Sequence, residues 1–210
     1  MERCVHEAAS LRSKLTPEVL AMEGMSGKMT RHFYNNLLTL PGARYLEIGT
    51  WKGSTVCSAM CGNQASVVCV DNWALFDGPK NEFLANFNRH KGENNAHFVE
   101  GDSFAKSTVQ KIKARQNSFN IYLYDGCHKR ESHAKALTHL ITLMDGTFIF
   151  VVDDWNWSYV RQGTYDAIKA LRLRILHKRE IILTQNDKHT EPNLALATWW
   201  NGIGVFVLAK

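Results

Sequence analysis

The run Tyr45-Leu-Glu-Ile-Gly-Thr-Trp-Lys-Gly53 joins an apolar strand, Arg44–Ile48, to a turn with two glycines. A helix-forming segment, Ser54–Cys61, follows directly. Glycine lets the backbone turn sharply and approach a ligand, because no Cβ intervenes. The new helix starts with unpaired N–H groups aimed at the same point. Strand, glycine turn and helix together predict a nucleotide-like cofactor at the carboxyl end of a parallel sheet. The spacing narrows the ligand. A dinucleotide fingerprint reads G-x-G-x-x-G and makes room for a pyrophosphate, whereas here the pattern is Glu47-x-Gly49-x-x-x-Gly53. A carboxylate at the strand end repels a phosphate and attracts a ligand with an amino group.

Outward from this run the chain alternates. Strands are expected at 44–48, 66–70, 96–99, 119–124 and 146–152, with helices at 53–61, 80–90, 104–115, 130–143 and 159–176. The strands are short apolar runs bounded by Asp, Gly and Asn, the pattern of strands buried on both faces. Five strand–helix repeats predict a doubly wound, Rossmann-like α/β sheet with helices on both faces. The end breaks the alternation. Glu180–Thr184 and Ile203–Ala209 read as two further strands without a convincing crossover helix between them, so they are expected to pair antiparallel. Residues 1–40 read as a helical extension interrupted near Pro17 and Gly24, and 41–210 as the α/β core of one domain.

Composition bounds the class. The chain has 210 residues, 45% of them hydrophobic and 21% charged, as in an ordinary soluble globular domain. Its net charge of +5 is dispersed rather than gathered in one Lys/Arg tract, so nucleic acid is not indicated as a partner. Five cysteines, an odd number without a recognisable signal peptide, fit a reducing cytoplasm better than a disulfide framework. No apolar run is long enough to span a membrane. Oligomeric state stays open, a homodimer included.

Ligands of such sheets gather at the carboxyl ends of the strands. Every one of the five ends carries an acid: Glu47, Asp71, Glu100 with Asp102, Asp125, and Asp153-Asp154. A single such Asp is usually a helix cap, but five in register are hard to explain as caps alone. Asp71 is placed to accept ribose hydroxyls, and Asp102, with Ser103, to meet an adenine amino group. Trp51 and Trp73 flank the same region and could pack on the ligand. Thr50, Ser54 and Asn72 complete the expected cofactor lining, with Gly49, Gly53 and Asp125. Asp125, Asp153 and Asp154 end two strands read as neighbours. Crowded carboxylates repel unless protonated or bound to a cation, and hard oxygen ligands with open positions suit magnesium.

These residues resemble the class I S-adenosylmethionine-dependent methyltransferases over roughly residues 40–210. The resemblance implies that Glu47 serves the methionine amino end, Asp71 the ribose and Asp102 the adenine. The segments Tyr124-Asp-Gly-Cys-His128 and Asp145–Asp154 are most similar to the metal-dependent O-methyltransferases, in the macrolide-sugar branch. There an Asp after strand four and an Asp-Asp pair after strand five bind magnesium. The implied chemistry is methyl transfer to a small hydroxylated, sugar-like or phenolic acceptor. A coordinated hydroxyl loses its proton more easily, and His128, which titrates near neutrality, is the candidate base beside Asp125. Three other readings compete: a metal-free methyltransferase, a non-catalytic cofactor- or RNA-binding module, and, with poor glycine spacing, a dinucleotide oxidoreductase.

Overall fold

Strand β1, Arg44–Ile48, lies near the middle of a seven-stranded sheet. The other strands are β2 (Ser66–Asp71), β3 (Asn95–Glu100), β4 (Phe119–Tyr124), β5 (Met144–Val152), β6 (Arg174–Ile181) and β7 (Ile203–Ala209). Their order is β3-β2-β1-β4-β5-β7-β6 in a computed structural model that describes residues 1–210. Strands β1 to β5 are parallel, and β7 runs antiparallel between β5 and β6. The winding reverses between β1 and β4, which opens a crevice at their carboxyl ends. Three helices precede β1, α1 (Glu2–Ala9), α2 (Pro17–Leu20) and α3 (Lys28–Leu37), and six lie between strands: α4 (Ser54–Met60), α5 (Lys80–His90), α6 (Lys106–Arg115), α7 (Arg130–Leu140), α8 (Ser158–Ala170) and α9 (Pro192–Ala197). None is long and apolar enough to cross a membrane.

Alternation along the strands builds two cores. Tyr45, Val67, Cys69, Ile121 and Leu123 face a layer holding Phe33, Leu37, Val56, Met60 and Phe83 from α3, α4 and α5. Leu46, Ile48, Val68, Tyr122 and Phe150 face the opposite layer, with Ile112, Leu137, Leu140 and Val160 from α6, α7 and α8. Both faces are dry, which is why these strands read as continuous apolar runs rather than as alternating ones. The N-terminal segment joins the first layer. Asn35 on α3 donates to the carbonyls of Ser58 and Cys61 at 2.8 Å each, satisfying the otherwise open end of α4.

The expected elements stand in place for the first five strands, and the antiparallel ending is present. The register of β6 differs from expectation. Helix α8 stops at Ala170, and the expected strand 180–184 is shifted back to Arg174–Ile181, so residues 174–176 are strand rather than helix. The turn is made by Arg172 at φ +54°, without a glycine or proline to announce it. β6 is an edge strand whose side chains are mostly exposed, so it lacks the apolar signature of the inner strands. The segment before β7 contains the short helix α9, where no helix was expected.

Candidate active site

Gly49 ends β1 at φ +89°, and a Cβ there would lie 1.9 Å from the carbonyl oxygen of Asp125. Only glycine lets the two strand ends approach this closely. Asp125 therefore belongs to two structures at once: its backbone walls the glycine loop, and its side chain enters an acidic cluster.

Glu47 is fully buried on the α4 side of β1. Its Oε2 accepts from the Tyr45 hydroxyl at 2.6 Å and its Oε1 from the Thr55 hydroxyl at 2.7 Å. Burial raises its pKa to about 7, against the lowering effect of those two bonds. Thr50, next in the loop, is buried and its Oγ1 has no hydrogen-bond partner.

Asp71 lies at the same rim, with its carboxylate holding the loop. Oδ2 accepts from the backbone N–H of Thr50 at 2.9 Å and of Trp51 at 2.8 Å, while Oδ1 accepts from that of Trp73 at 2.8 Å. Asn72 accepts from the Ala74 N–H in a tight local turn. Trp73 is buried against Phe83 and Phe98, and its indole N–H donates to the Trp51 carbonyl. The Trp51 indole donates to the Phe76 carbonyl. Gly53, at φ +87°, backs onto the Phe83 ring. Asp102 is exposed at the end of β3 and accepts from the Phe104 N–H, beside half-buried Ser103. The Ser54 hydroxyl lies 3.3 Å from that of Ser26, under the loop that precedes α3.

The acids at the ends of β4 and β5 converge. Oxygen or nitrogen atoms of Asp125, His128 and Asp154 lie within 4.8 Å of one another. His128 Nε2 is 2.8 Å from Asp154 Oδ2 and 4.0 Å from Asp125 Oδ1. That compact trio contains His128 in the place where Asp153 was expected. Asp153 is buried beside it, and its Oδ1 has no hydrogen-bond partner. Burial, and then the facing carboxylates, push Asp125 and Asp153 well above the usual carboxylate range. The bond to Asp154 raises the pKa of His128 against the opposing effect of burial.

Tyr34 and Asn201 escaped the sequence reading of this site. Tyr34 of α3 is fully buried, and its hydroxyl is pushed up by burial and then by Asp153, Asp125 and Glu47. Asn201 donates to Asp154 Oδ1 at 3.0 Å. Asn156 ties the turn after β5 to residues 183–190. Trp157 stacks near His128 and packs edge-on with His189. Asn201-Gly202 reads in sequence as a turn before a strand, a signal that conceals what the amide does.

A family described as a methyltransferase domain matches residues 46–155. No protein of curated function gives a significant match. Solved structures share the fold. An O-methyltransferase from Bacillus cereus in complex with SAH aligns with 99% of this chain and 91% of its own, at 14% identity and a TM-score of 0.60. A protein provisionally assigned as an RNA methyltransferase, from Pyrococcus horikoshii, aligns over 100% and 99% at 14% identity and a TM-score of 0.55. A third, provisionally assigned as a SAM-dependent methyltransferase, from Streptococcus mutans, covers 87% of this chain at 14% identity and a TM-score of 0.58, and this chain spans 48% of its length.

Proposed function

This chain belongs to the methyltransferase-domain family, and we propose from that premise that it transfers a methyl group from S-adenosylmethionine to a hydroxyl of a small acceptor, assisted by a divalent ion of the magnesium type. The observation that carries the proposal is the double role of Asp125. Its carbonyl packs on Gly49 of the cofactor loop, and its carboxyl faces Asp153 and Asp154. Asp125 thereby brings the glycine loop and the acidic cluster side by side.

The residues fit both groups. Thr50 Oγ1 and Asp153 Oδ1 are buried without partners, and buried polar atoms call for partners. Glu47, with a pKa near 7, is suited to ionise against a ligand ammonium. Asp71 Oδ1 accepts one bond and has capacity for a second, from a ribose hydroxyl. Asp102 stands at the end of β3 for the base. Asp125, Asp153 and Asp154 would hold the ion through oxygen atoms.

S-adenosylmethionine supplies an electrophilic methyl group on a sulfonium, and a divalent ion lowers the pKa of a hydroxyl it binds. This chain's own part is to hold the acceptor oxygen in line and take its proton. His128 is the proton acceptor by position, and Asp154 fixes its ring by the 2.8 Å bond from Nε2. Trp157 and His189 form an aromatic wall beside it. A metal-free variant of this reading draws on the same bond, because Asp154 orients the His128 ring without an ion.

Calorimetric titration with the demethylated product SAH, with and without Mg2+, tests the proposal. Micromolar SAH binding is expected, lost in Glu47→Ala, with heat from Mg2+ that disappears in Asp125→Ala. An absence of SAH binding sinks the methyltransferase reading. SAH binding without any divalent-ion heat sinks the metal-assisted form alone.

A further inference from the structure

The segment between β6 and β7 closes over the turn after β5, and side-chain amides bind the two together. Asn156 Oδ1 accepts from the backbone N–H of Leu183 at 2.8 Å, and its Nδ2 donates to the Thr190 hydroxyl at 3.0 Å. Asn201 Oδ1 accepts from the Thr190 N–H at 3.0 Å, while its Nδ2 donates to Asp154 Oδ1 at 3.0 Å. Asn156 N–H donates to the Asn201 carbonyl at 2.9 Å. Asp154 itself sits at φ +57°, a conformation that costs a non-glycine residue on the order of 1 kcal/mol or more and persists only where its surroundings enforce it.

The orientation of the Asn201 amide follows from its partners. A backbone N–H can only donate, so the atom facing Thr190 is the oxygen and the atom facing Asp154 is the NH2 group. One carboxylate oxygen of Asp154 is thereby committed. Oδ2 is the oxygen turned towards His128 and Asp125, where the ligand-like atoms converge.

We propose that Asn201 is a positioning residue for the ion site: it engages Asp154 Oδ1, presents Oδ2 alone as the ligand atom, and through Thr190 couples the site to the segment over it. The inference rests on the metal-assisted reading above. Both ends of the Asn201 amide are engaged by protein atoms, and nothing in a turn-forming Asn-Gly pair requires that amide to be buried, yet Asn201 is 5% exposed. Residues that orient metal ligands in this way typically change ion affinity by about 10- to 100-fold when removed.

The test uses the whole chain and Mn2+ alone, with affinity read from the loss of the free-ion paramagnetic resonance signal. Asn201→Leu keeps the volume and removes both amide bonds. The expected result is Mn2+ binding weakened by at least about tenfold, with calorimetric SAH affinity within about twofold of wild type. A general structural role would weaken both together. If circular dichroism shows Asn201→Leu unfolded, Asn201→Ser, too short to bridge Thr190 and Asp154, takes its place under the same criteria. Mn2+ affinity unchanged in a folded variant overturns this inference alone. Wild-type protein that takes up no Mn2+ overturns the metal-assisted reading and this inference with it.

Discussion

The hydroxyl of Tyr45 donates to Glu47 Oε2 at 2.6 Å from two positions earlier on the same strand. Residues i and i+2 of a strand share a face, so β1 carries its own donor to a carboxyl that the core has removed from water. Neither Tyr45 nor Glu47 is exposed. The pair keeps an ionisable group in the core, at the foot of the glycine loop.

That carboxyl has a pH signature. Its pKa is raised in the folded chain to about 7 from 4.5. Between these values the folded state binds the extra proton, so Glu47 makes stability fall as pH rises through this window. A shift of this size corresponds to about 3 kcal/mol. Asp125 and Asp153 act with the same sign, so the wild-type chain is compared with Glu47→Gln. Urea unfolding from pH 4.5 to 8 should show a smaller decline in the variant. Ligand binding has the opposite slope: SAH affinity should rise with pH up to about 7 and then level off. A pH-independent difference between the two proteins would remove Glu47 from this role.

Asp153 carries a second prediction. Its Oδ1 is buried without a partner, and burial, then the neighbouring Asp154 charge, push its carboxyl well above the usual range. Asp153→Asn relieves the repulsion and should stabilise the ion-free chain by about 1–2 kcal/mol. The same substitution should remove most of the thermal stabilisation given by Mg2+ or Mn2+. Melting temperatures with EDTA and with excess ion check both halves, and an equal ion-induced shift in the two proteins would count against Asp153 as a ligand.

Gly49→Ala meets two obstacles. The added Cβ would be 1.9 Å from the Asp125 carbonyl oxygen, and φ is +89°. The neighbour is backbone, so the loop or the end of β4 must move. A loss of about 3 kcal/mol or more is expected, together with loss of SAH binding. Gly146→Ala is the control, because nothing lies within 4 Å of the added atom. Denaturant midpoints of the two variants give the comparison.

Arg31 governs the loop that covers Ser54. Its buried guanidinium donates to Ser26 Oγ at 2.9 Å and to the carbonyls of Leu20 and Met22 at 3.1 and 2.6 Å. Burial lowers its pKa to about 10, so the charge persists at neutral pH. Arg31→Leu strands several acceptors and should cost about 2–4 kcal/mol. Lysine cannot span the same fork and should rescue little. Hydrogen exchange should quicken first across residues 20–27. Uniform quickening over the whole chain would show that Arg31 supports the core rather than this loop.

Much of this arrangement is legible along the chain. Five short apolar runs ending in acids mark the parallel strands, and Glu47-x-Gly49-x-x-x-Gly53 marks the glycine turn from β1 to α4. β6 was legible only in part, because an exposed edge strand rich in charge lacks the inner strands' pattern, and Arg172 turns the chain in a conformation that arginine does not advertise. Tyr34 was not legible at all. Its position on an amphipathic helix reads as core, and only packing brings its hydroxyl towards acids on three different strands.

Sequence alone determined the five parallel strands with the helices between them and the antiparallel ending, because backbone periodicity and turn chemistry are local. Tertiary structure decided what each acid does. Asp71 spends its oxygens on the N–H groups of the glycine loop, His128 rather than Asp153 closes the compact trio, and Asn201 reaches Asp154 across 47 positions of chain. Those outcomes depend on strand register and on the left-handed turn at Asp154, both set by hydrogen bonds between segments far apart in the chain.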